Sequence, residues 1–192
     1  TSMGAVAVPL LPDFHENEIQ NILEHSETKT IFVSKLMYSK IENLQNDLLD
    51  VIIYTDDFEI VKGNINSKPE NDNNCYANES DIASIVYTSG TTGKSKGVML
   101  THKNIVFDAI QVLTIEPVKA RHRFLSILPL SHTYENTLGL IVPIMQGASV
   151  YYLEKPPTAN ALLPAISKVK PTHILSVPMV IEKVYRNQVL PK

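Results

Sequence analysis

The chain has very little cysteine, no large excess of charge of either sign and no long apolar run, and each absence removes a class of protein. Cys75 is the only cysteine among 192 residues, which excludes an internal disulfide and a cysteine-rich zinc site. A reducing, cytoplasmic setting fits this composition best. The formal net charge of −3 gives no basis for expecting nucleic acid or an acidic surface as a partner.

Segments that would cross a membrane or direct export are also missing. Residues 3–12 are apolar, but no basic region precedes them and no cleavage site follows, so they make a poor signal peptide. The longest later apolar run, residues 138–145, is too short to span a bilayer. No basic amphipathic helix or lipid anchor is evident, which leaves peripheral membrane contact open but unsupported.

Strand-like and helix-like patterns alternate along the chain and predict an α/β fold, with a mostly parallel sheet and flanking helices. The predicted strands cover residues 6–11, 30–33, 51–55, 82–87, 124–128, 148–153 and 172–175. Three predicted helices follow caps at Asp13, Ser34 and Thr101, with apolar faces Ile19/Ile22/Leu23, Met37/Ile41/Leu44/Leu48 and Ile105/Val106/Ala109/Ile110/Leu113. Further helices are predicted over residues 133–145, with a break at Pro143, over 162–169 and over 178–186.

Residues 62–80 interrupt this alternation. They are rich in asparagine and poor in apolar side chains, which predicts an exposed connection that carries Cys75 as a solvent-facing thiol.

The most informative stretch is residues 87–97, where small hydroxyl residues, three glycines and two lysines follow an apolar strand. Glycine allows tight turns and close approach of the backbone to a ligand. Successive backbone N–H groups then form an anion-binding concavity, while hydroxyl groups and lysine add donors and positive charge. This pattern predicts a polyphosphate-binding loop. It is not a Walker A loop, because that motif requires glycine where this chain has Thr88.

The loop and its flanks, residues 85–102, resemble the signature of the adenylate-forming enzymes, which include acyl-CoA synthetases, luciferases and peptide-synthetase adenylation domains. Residues 128–135 (Leu-Pro-Leu-Ser-His-Thr-Tyr-Glu) and 177–185 resemble segments of the long-chain fatty acid–CoA ligase branch, and residues 4–9 fit the family's early strand. The resemblance covers essentially the whole chain. It implies that residues 1–192 are a partial AMP-binding domain, because the family's later motifs and its small C-terminal domain with a catalytic lysine are not found here.

The resemblance also implies a reaction and its site. A fatty acid would be activated with ATP to acyl-AMP and transferred to coenzyme A, with Mg²⁺ as cofactor, and the isolated piece would be inactive. The implied pyrophosphate-binding residues are Thr88, Ser89, Gly90, Thr91, Thr92, Gly93 and Lys96, with Thr88 also a candidate metal ligand. Ser95 departs from the family's usual proline, which predicts a change in loop order without loss of phosphate binding.

Two residues of the 128–135 segment, His132 and Glu135, are candidates for a functional role. His132 on its own is an ordinary structural histidine, whereas the resemblance implies a place near the acyl carboxylate and makes it the candidate catalytic residue. Glu135 is more simply a first-turn carboxylate stabilised by a helix dipole.

Three other hypotheses remain at this stage. The enzyme activates an amino acid or aryl acid; the chain is a nucleotide-binding or interaction module without chemistry; or it is a P-loop NTPase, which Thr88 disfavours. The sequence also predicts that the isolated piece self-associates, since strands and apolar faces would lack their partners.

Overall fold

The computed structural model describes residues 4–44, 47, 49–63, 76–88, 96–153 and 156–188. The chain divides into two compact units, Thr1–His102 and Lys103–Lys192. Both combine strands with helices, which confirms the predicted α/β class. Most of the 62–80 segment, Cys75 included, lies outside the described residues, although Lys62 itself ends a strand.

The first unit begins with helix α1 (Glu16–His25) and a three-stranded sheet. Strands β1 (Thr30–Val33) and β2 (Val51–Tyr54) are parallel, and β3 (Ile60–Lys62) pairs with β2 in the antiparallel direction. The predicted stripe of α1 is confirmed, because Ile19, Ile22 and Leu23 are all buried. Ile19 and Leu23 pack on strand residues of β1 and β2 in one apolar core.

Three local predictions in this unit are wrong. Helix α1 starts after His15, whose backbone N–H donates to Glu18 Oε2 at 2.9 Å, so Asp13 is not the cap. Residues 6–11 form no strand beyond a single parallel bridge at Ala7. The helix expected after Ser34 is a series of turns with one 3₁₀ turn, Tyr38–Lys40. Met37, Ile41 and Leu44 of its predicted apolar face still pack in the core, and Leu48 lies outside the described residues.

Strands β4 (Ile82–Thr88) and β5 (Lys96–Thr101) form an antiparallel pair. The sequence predicted β4 but not β5. Thr101, expected as a helix cap, is the last residue of β5, and helix α2 (His102–Ile115) follows at once.

The second unit is built around strand β6 (Arg123–Ser126). Strands β7 (Ser149–Tyr152) and β8 (His173–Ile174) flank β6 on either side, and both run parallel to it. Helices α5 (Ala159–Val169) and α6 (Pro178–Gln188) complete the unit. Each of these elements confirms a predicted strand or helix with shifted ends. In α2, Ala109 is buried as predicted, whereas Val106 and Ile110 are about half exposed.

Residues 133–145 form one uninterrupted helical stretch, so the predicted break at Pro143 is wrong. It consists of α3 (Thr133–Glu135), a π-helical segment (Asn136–Ile141) and α4 (Val142–Met145). Pro143 lies buried in the first turn of α4. The wider π turn before it relieves the clash that a proline ring makes in a regular α-helix.

A single arginine joins the first residue of β6 to the end of α5. Arg123 Nε donates to the carbonyl oxygens of Val169 and Lys170 at 3.0 Å each, and Nη2 donates to Lys170 O at 2.8 Å. Lys170 ends the helix in the left-handed region, with φ of 48°. These bonds satisfy carbonyl groups that have no partner within the helix.

Candidate functional site

The predicted phosphate loop starts and ends on two neighbouring strands. Thr88, the last residue of β4, is the register partner of Lys96, the first residue of β5. Both side chains are exposed. The structure therefore brings Thr88 and Lys96 together, whereas the predicted loop residues between them lie outside the described residues: Ser89, Gly90, Thr91, Thr92 and Gly93.

A buried tyrosine next to this loop connects strand β4 to helix α1. Tyr87 is 5% exposed, and its hydroxyl lies 2.7 Å from Nδ1 of His25, at the end of α1. The two rings meet edge to face with centroids 5.8 Å apart. Burial raises the pKa of the Tyr87 phenol, so it remains a neutral hydrogen-bonding group.

Gly97 lies opposite Tyr87 across the pair. A Cβ at position 97 would lie 2.9 Å from Ile85 Cγ2 and 3.2 Å from Tyr87 Cζ. The two strands can therefore pack this closely only with glycine at position 97.

His132 stands at the start of the helical stretch that follows β6. It has extended backbone angles, and its Nδ1 accepts a hydrogen bond from the backbone N–H of Tyr134 at 3.3 Å. Its backbone is held on both sides, since its N–H donates to Pro129 O at 3.0 Å and its carbonyl accepts from Asn136 N at 2.9 Å. The ring is exposed. This turn follows the carboxyl end of a parallel strand, which is where ligands bind in α/β sheets.

Glu135 is the residue whose environment the sequence did not predict. It lies in the first turn of the helical stretch as expected, but it is 0% exposed. Neither carboxyl oxygen has a hydrogen-bond partner among the described residues. Burial raises the pKa of Glu135; the nearby Ser126 hydroxyl opposes that rise without meeting the geometry of a hydrogen bond.

Gly139 explains how the Glu135 carboxyl fits. A Cβ at position 139 would lie 2.5 Å from Glu135 Oε1 and 2.8 Å from Glu135 Cδ. The carboxyl thus fills the space that a side chain at 139 would need. The Glu-x-x-x-Gly spacing in a helical stretch that is otherwise uncharged is the sequence signal that was available for this burial.

The described residues contain no cluster of three or more His, Cys, Asp or Glu side chains arranged to hold a metal ion. Thr88 supplies a single exposed hydroxyl, so it would be one of several oxygen ligands to a cation. No helix in the described ranges is long and apolar enough to cross a membrane. An open groove of about 640 Å³ lies beside β7 and α5, and none of the described site residues, Thr88, Lys96 and His132, lines it.

Comparison with known proteins places these features in a family. The AMP-binding enzyme profile matches residues 1–192. A human (Homo sapiens) long-chain-fatty-acid–CoA ligase is 38% identical over 104 residues, which cover 54% of this chain and 16% of that protein. The 4-coumarate–CoA ligase 1 of Arabidopsis thaliana is 32% identical over 194 residues, covering 93% of this chain and 34% of that protein.

Among solved structures, an anthranilate CoA ligase in complex with anthranoyl-AMP superposes with a TM-score of 0.78 at 26% identity, over 93% of this chain and 36% of that one. The chain thus spans about a third or less of the length of these proteins. Because the family profile covers every residue, the chain belongs to the AMP-binding enzyme family.

Proposed function

We propose that the natural polypeptide containing this chain activates a fatty acid with ATP and transfers it to coenzyme A. The observation that carries the proposal is the β4–β5 pair, whose last register partners, Thr88 and Lys96, frame a segment rich in glycine and hydroxyl residues. Similarity to a long-chain-fatty-acid–CoA ligase supports the choice of acid. A cytoplasmic location is part of the same proposal.

The reaction has two steps. A carboxylate oxygen of the acid attacks the α-phosphorus of ATP, the bond to the β-phosphate oxygen breaks, and acyl-AMP and pyrophosphate result. The thiol of coenzyme A then loses its proton to solvent and its sulfur attacks the acyl carbon. The bond between that carbon and the phosphate oxygen breaks, and AMP leaves. Positioning and charge stabilisation supply most of the catalysis in the first step.

The residues of this chain act mainly on the leaving pyrophosphate. Its growing negative charge is held by the Lys96 ammonium group and by hydroxyl and backbone donors of residues 88–93. His132 lies near the acyl carboxylate and orients it. The Thr88 hydroxyl would be one ligand of Mg²⁺, which would supply additional positive charge at the phosphates.

Removing a phosphate contact tests the loop assignment. Lys96→Ala and Thr92→Ala should each lose about 1.5–3 kcal/mol of transition-state stabilisation, because a charge-assisted hydrogen bond is lost. The kcat/KM for ATP should then fall roughly 10- to 150-fold. Lys94→Ala is the matched control, since it removes a lysine of the same loop that is not among the implied phosphate-binding residues. Unchanged kinetics in both test variants would contradict the assignment.

His132→Ala tests the second role. Adenylation should be impaired while the thermal unfolding midpoint falls by only a few degrees, since the residue is exposed and its side chain makes a single long cap hydrogen bond, to Tyr134 N at 3.3 Å. A variant with full activity and a much lower midpoint would instead show that His132 is structural.

Activation of an aryl acid is the second candidate, favoured by similarity to a 4-coumarate–CoA ligase and to an anthranilate CoA ligase. ATP–pyrophosphate exchange with palmitate, 4-coumarate, anthranilate and amino acids separates the two. Exchange with palmitate alone supports a fatty acid, and exchange with the aromatic acids alone supports an aryl acid. No exchange with any acid favours a non-catalytic nucleotide-binding module.

A further inference from the structure

Glu135 has an ionisable side chain, but no oppositely charged group pairs with it in the described part of the chain. It is fully buried, it takes part in no ion pair in the described part of the chain, and both of its oxygens lack a hydrogen-bond donor there. An ionised carboxylate in such a place costs far more free energy than the protonated form. Burial therefore favours the protonated form of Glu135 in the folded protein.

The Glu135 carboxyl is positioned by close packing against Gly139 and not by a charged partner. Gly139 has a backbone that other residues also adopt, so its lack of a side chain is required by space and not by φ. The carboxyl of Glu135 occupies that space, and Leu175, just after β8, borders it, with Cδ1 3.2 Å from where a Cβ of residue 139 would be. Ser126, the buried last residue of β6, is the neighbouring polar group.

Hydrogen bonds connect the helical turn that carries Glu135 to the backbone of His132. The space beside Gly139 that the Glu135 carboxyl fills is called its seat below. Asn136, adjacent to Glu135, donates its backbone N–H to His132 O at 2.9 Å and its side-chain amide to Leu130 O at 3.2 Å. A shift of the first helical turn would therefore move the backbone of His132 with it. The π-helical segment begins at Asn136, directly after Glu135, and includes Gly139.

We propose that Glu135 is a positioning residue: seated as a neutral acid against Gly139, it fixes the turn that carries His132 from β6 into the helical stretch. The proposal rests on the proposed function for the role of His132. Its distinctive consequence is that shape matters at position 135 and charge does not.

A set of variants in the natural polypeptide tests this. Glu135→Gln keeps the shape without a charge and should keep kcat for ATP–pyrophosphate exchange close to the wild-type value. Glu135→Ala empties the seat and Gly139→Ala evicts the carboxyl, so each should lower kcat roughly tenfold or more, with the KM for ATP little changed. The ring signals of His132 in ¹H–¹³C NMR spectra should stay in place in Glu135→Gln and move in the other two variants.

Two further variants separate positioning from general loss of stability. Val142→Ala truncates a buried side chain of the same helical stretch that packs on Ala109 and Phe124. It should lower the unfolding midpoint while leaving kcat and the His132 signals unchanged. In Glu135→Ala/Gly139→Ala the new methyl group enters the vacated space, so the second substitution should destabilise less than it does in the wild-type background.

The outcomes that overturn the proposal are specific. A Glu135→Gln variant as impaired as Glu135→Ala would mean that the ionised carboxylate is needed. Unmoved His132 signals in both Glu135→Ala and Gly139→Ala would mean that the seat does not position the turn. If the wild type exchanges pyrophosphate with no acid at all, the proposed function fails, and the His132 signals still decide the positioning claim.

Discussion

The carboxyl of Glu135 should make stability depend on pH. Burial raises its pKa above the ordinary value of 4.5, so the folded state holds this proton more tightly than the unfolded state. Its contribution to the free energy of unfolding is fully present below pH 4.5 and is lost as pH rises through the folded-state pKa. Urea unfolding at several pH values should show wild type losing stability relative to Glu135→Gln over that window. Parallel pH profiles for the two proteins would refute the expectation.

The hydroxyl of Tyr87 makes a second residue-scale prediction. Tyr87→Phe removes its hydrogen bond to His25 and should lower the free energy of unfolding by about 0.5–1.5 kcal/mol, because the His25 ring nitrogen loses its partner. Tyr152→Phe is the control, since Tyr152 is half exposed. Equal midpoints in chemical denaturation for both variants would show that the bond contributes nothing.

At the scale of elements, the β4–β5 pair depends on the absence of a side chain at position 97. Gly97→Ala places a methyl group against Ile85 and the buried Tyr87 ring and should cost about 1–3 kcal/mol of stability through overpacking. Val98→Ala, at the exposed neighbouring position, should cost less. Thermal unfolding of the two variants compares them, and equal midpoints would show that the strands separate to accept the methyl group.

The same elements show what local pattern can and cannot predict. The apolar stripe of α1 was predictable because three apolar residues at helical spacing lie on one face of a helix, and that face packs on the core. Strand β5 was missed because Val98, Met99 and Leu100 are extended through pairing with β4, a contact that a short apolar run does not reveal. The burial of Glu135 was not predicted, because a first-turn carboxylate usually faces solvent and its burial depends on packing against other elements.

For the whole chain, sequence reasoning reached the family from the distinctive loop signature at residues 85–102. It reached the α/β class because the strand–helix alternation extends over most of the chain. The candidate site was predicted only in part. Thr88 and Lys96 meet as register partners, and His132 begins a helical stretch. The roles of residues 89–93 remain predictions, since they lie outside the described residues.

The surface of this chain carries exposed large apolar side chains, which bears on its behaviour in solution. On α6, Met179, Ile181 and Tyr185 are 62%, 61% and 51% exposed. The chain on its own should therefore self-associate with rising concentration. Sedimentation velocity should show a mass that rises with concentration and a weaker rise in Ile181→Lys, whereas a constant monomer mass would contradict the prediction.

The guanidinium of Arg123 joins elements that lie 46 and 47 positions apart in the chain. One side chain thus links local opening of the last turn of α5 to local opening of the first residues of β6. Backbone amide protons in the last turn of α5 and at the start of β6 should therefore exchange with solvent as one cooperative group. Their free energies of opening, measured by hydrogen exchange, should be similar. The end of a surface helix, which ordinarily frays first, would in this protein be as slow to exchange as the central strand of its sheet.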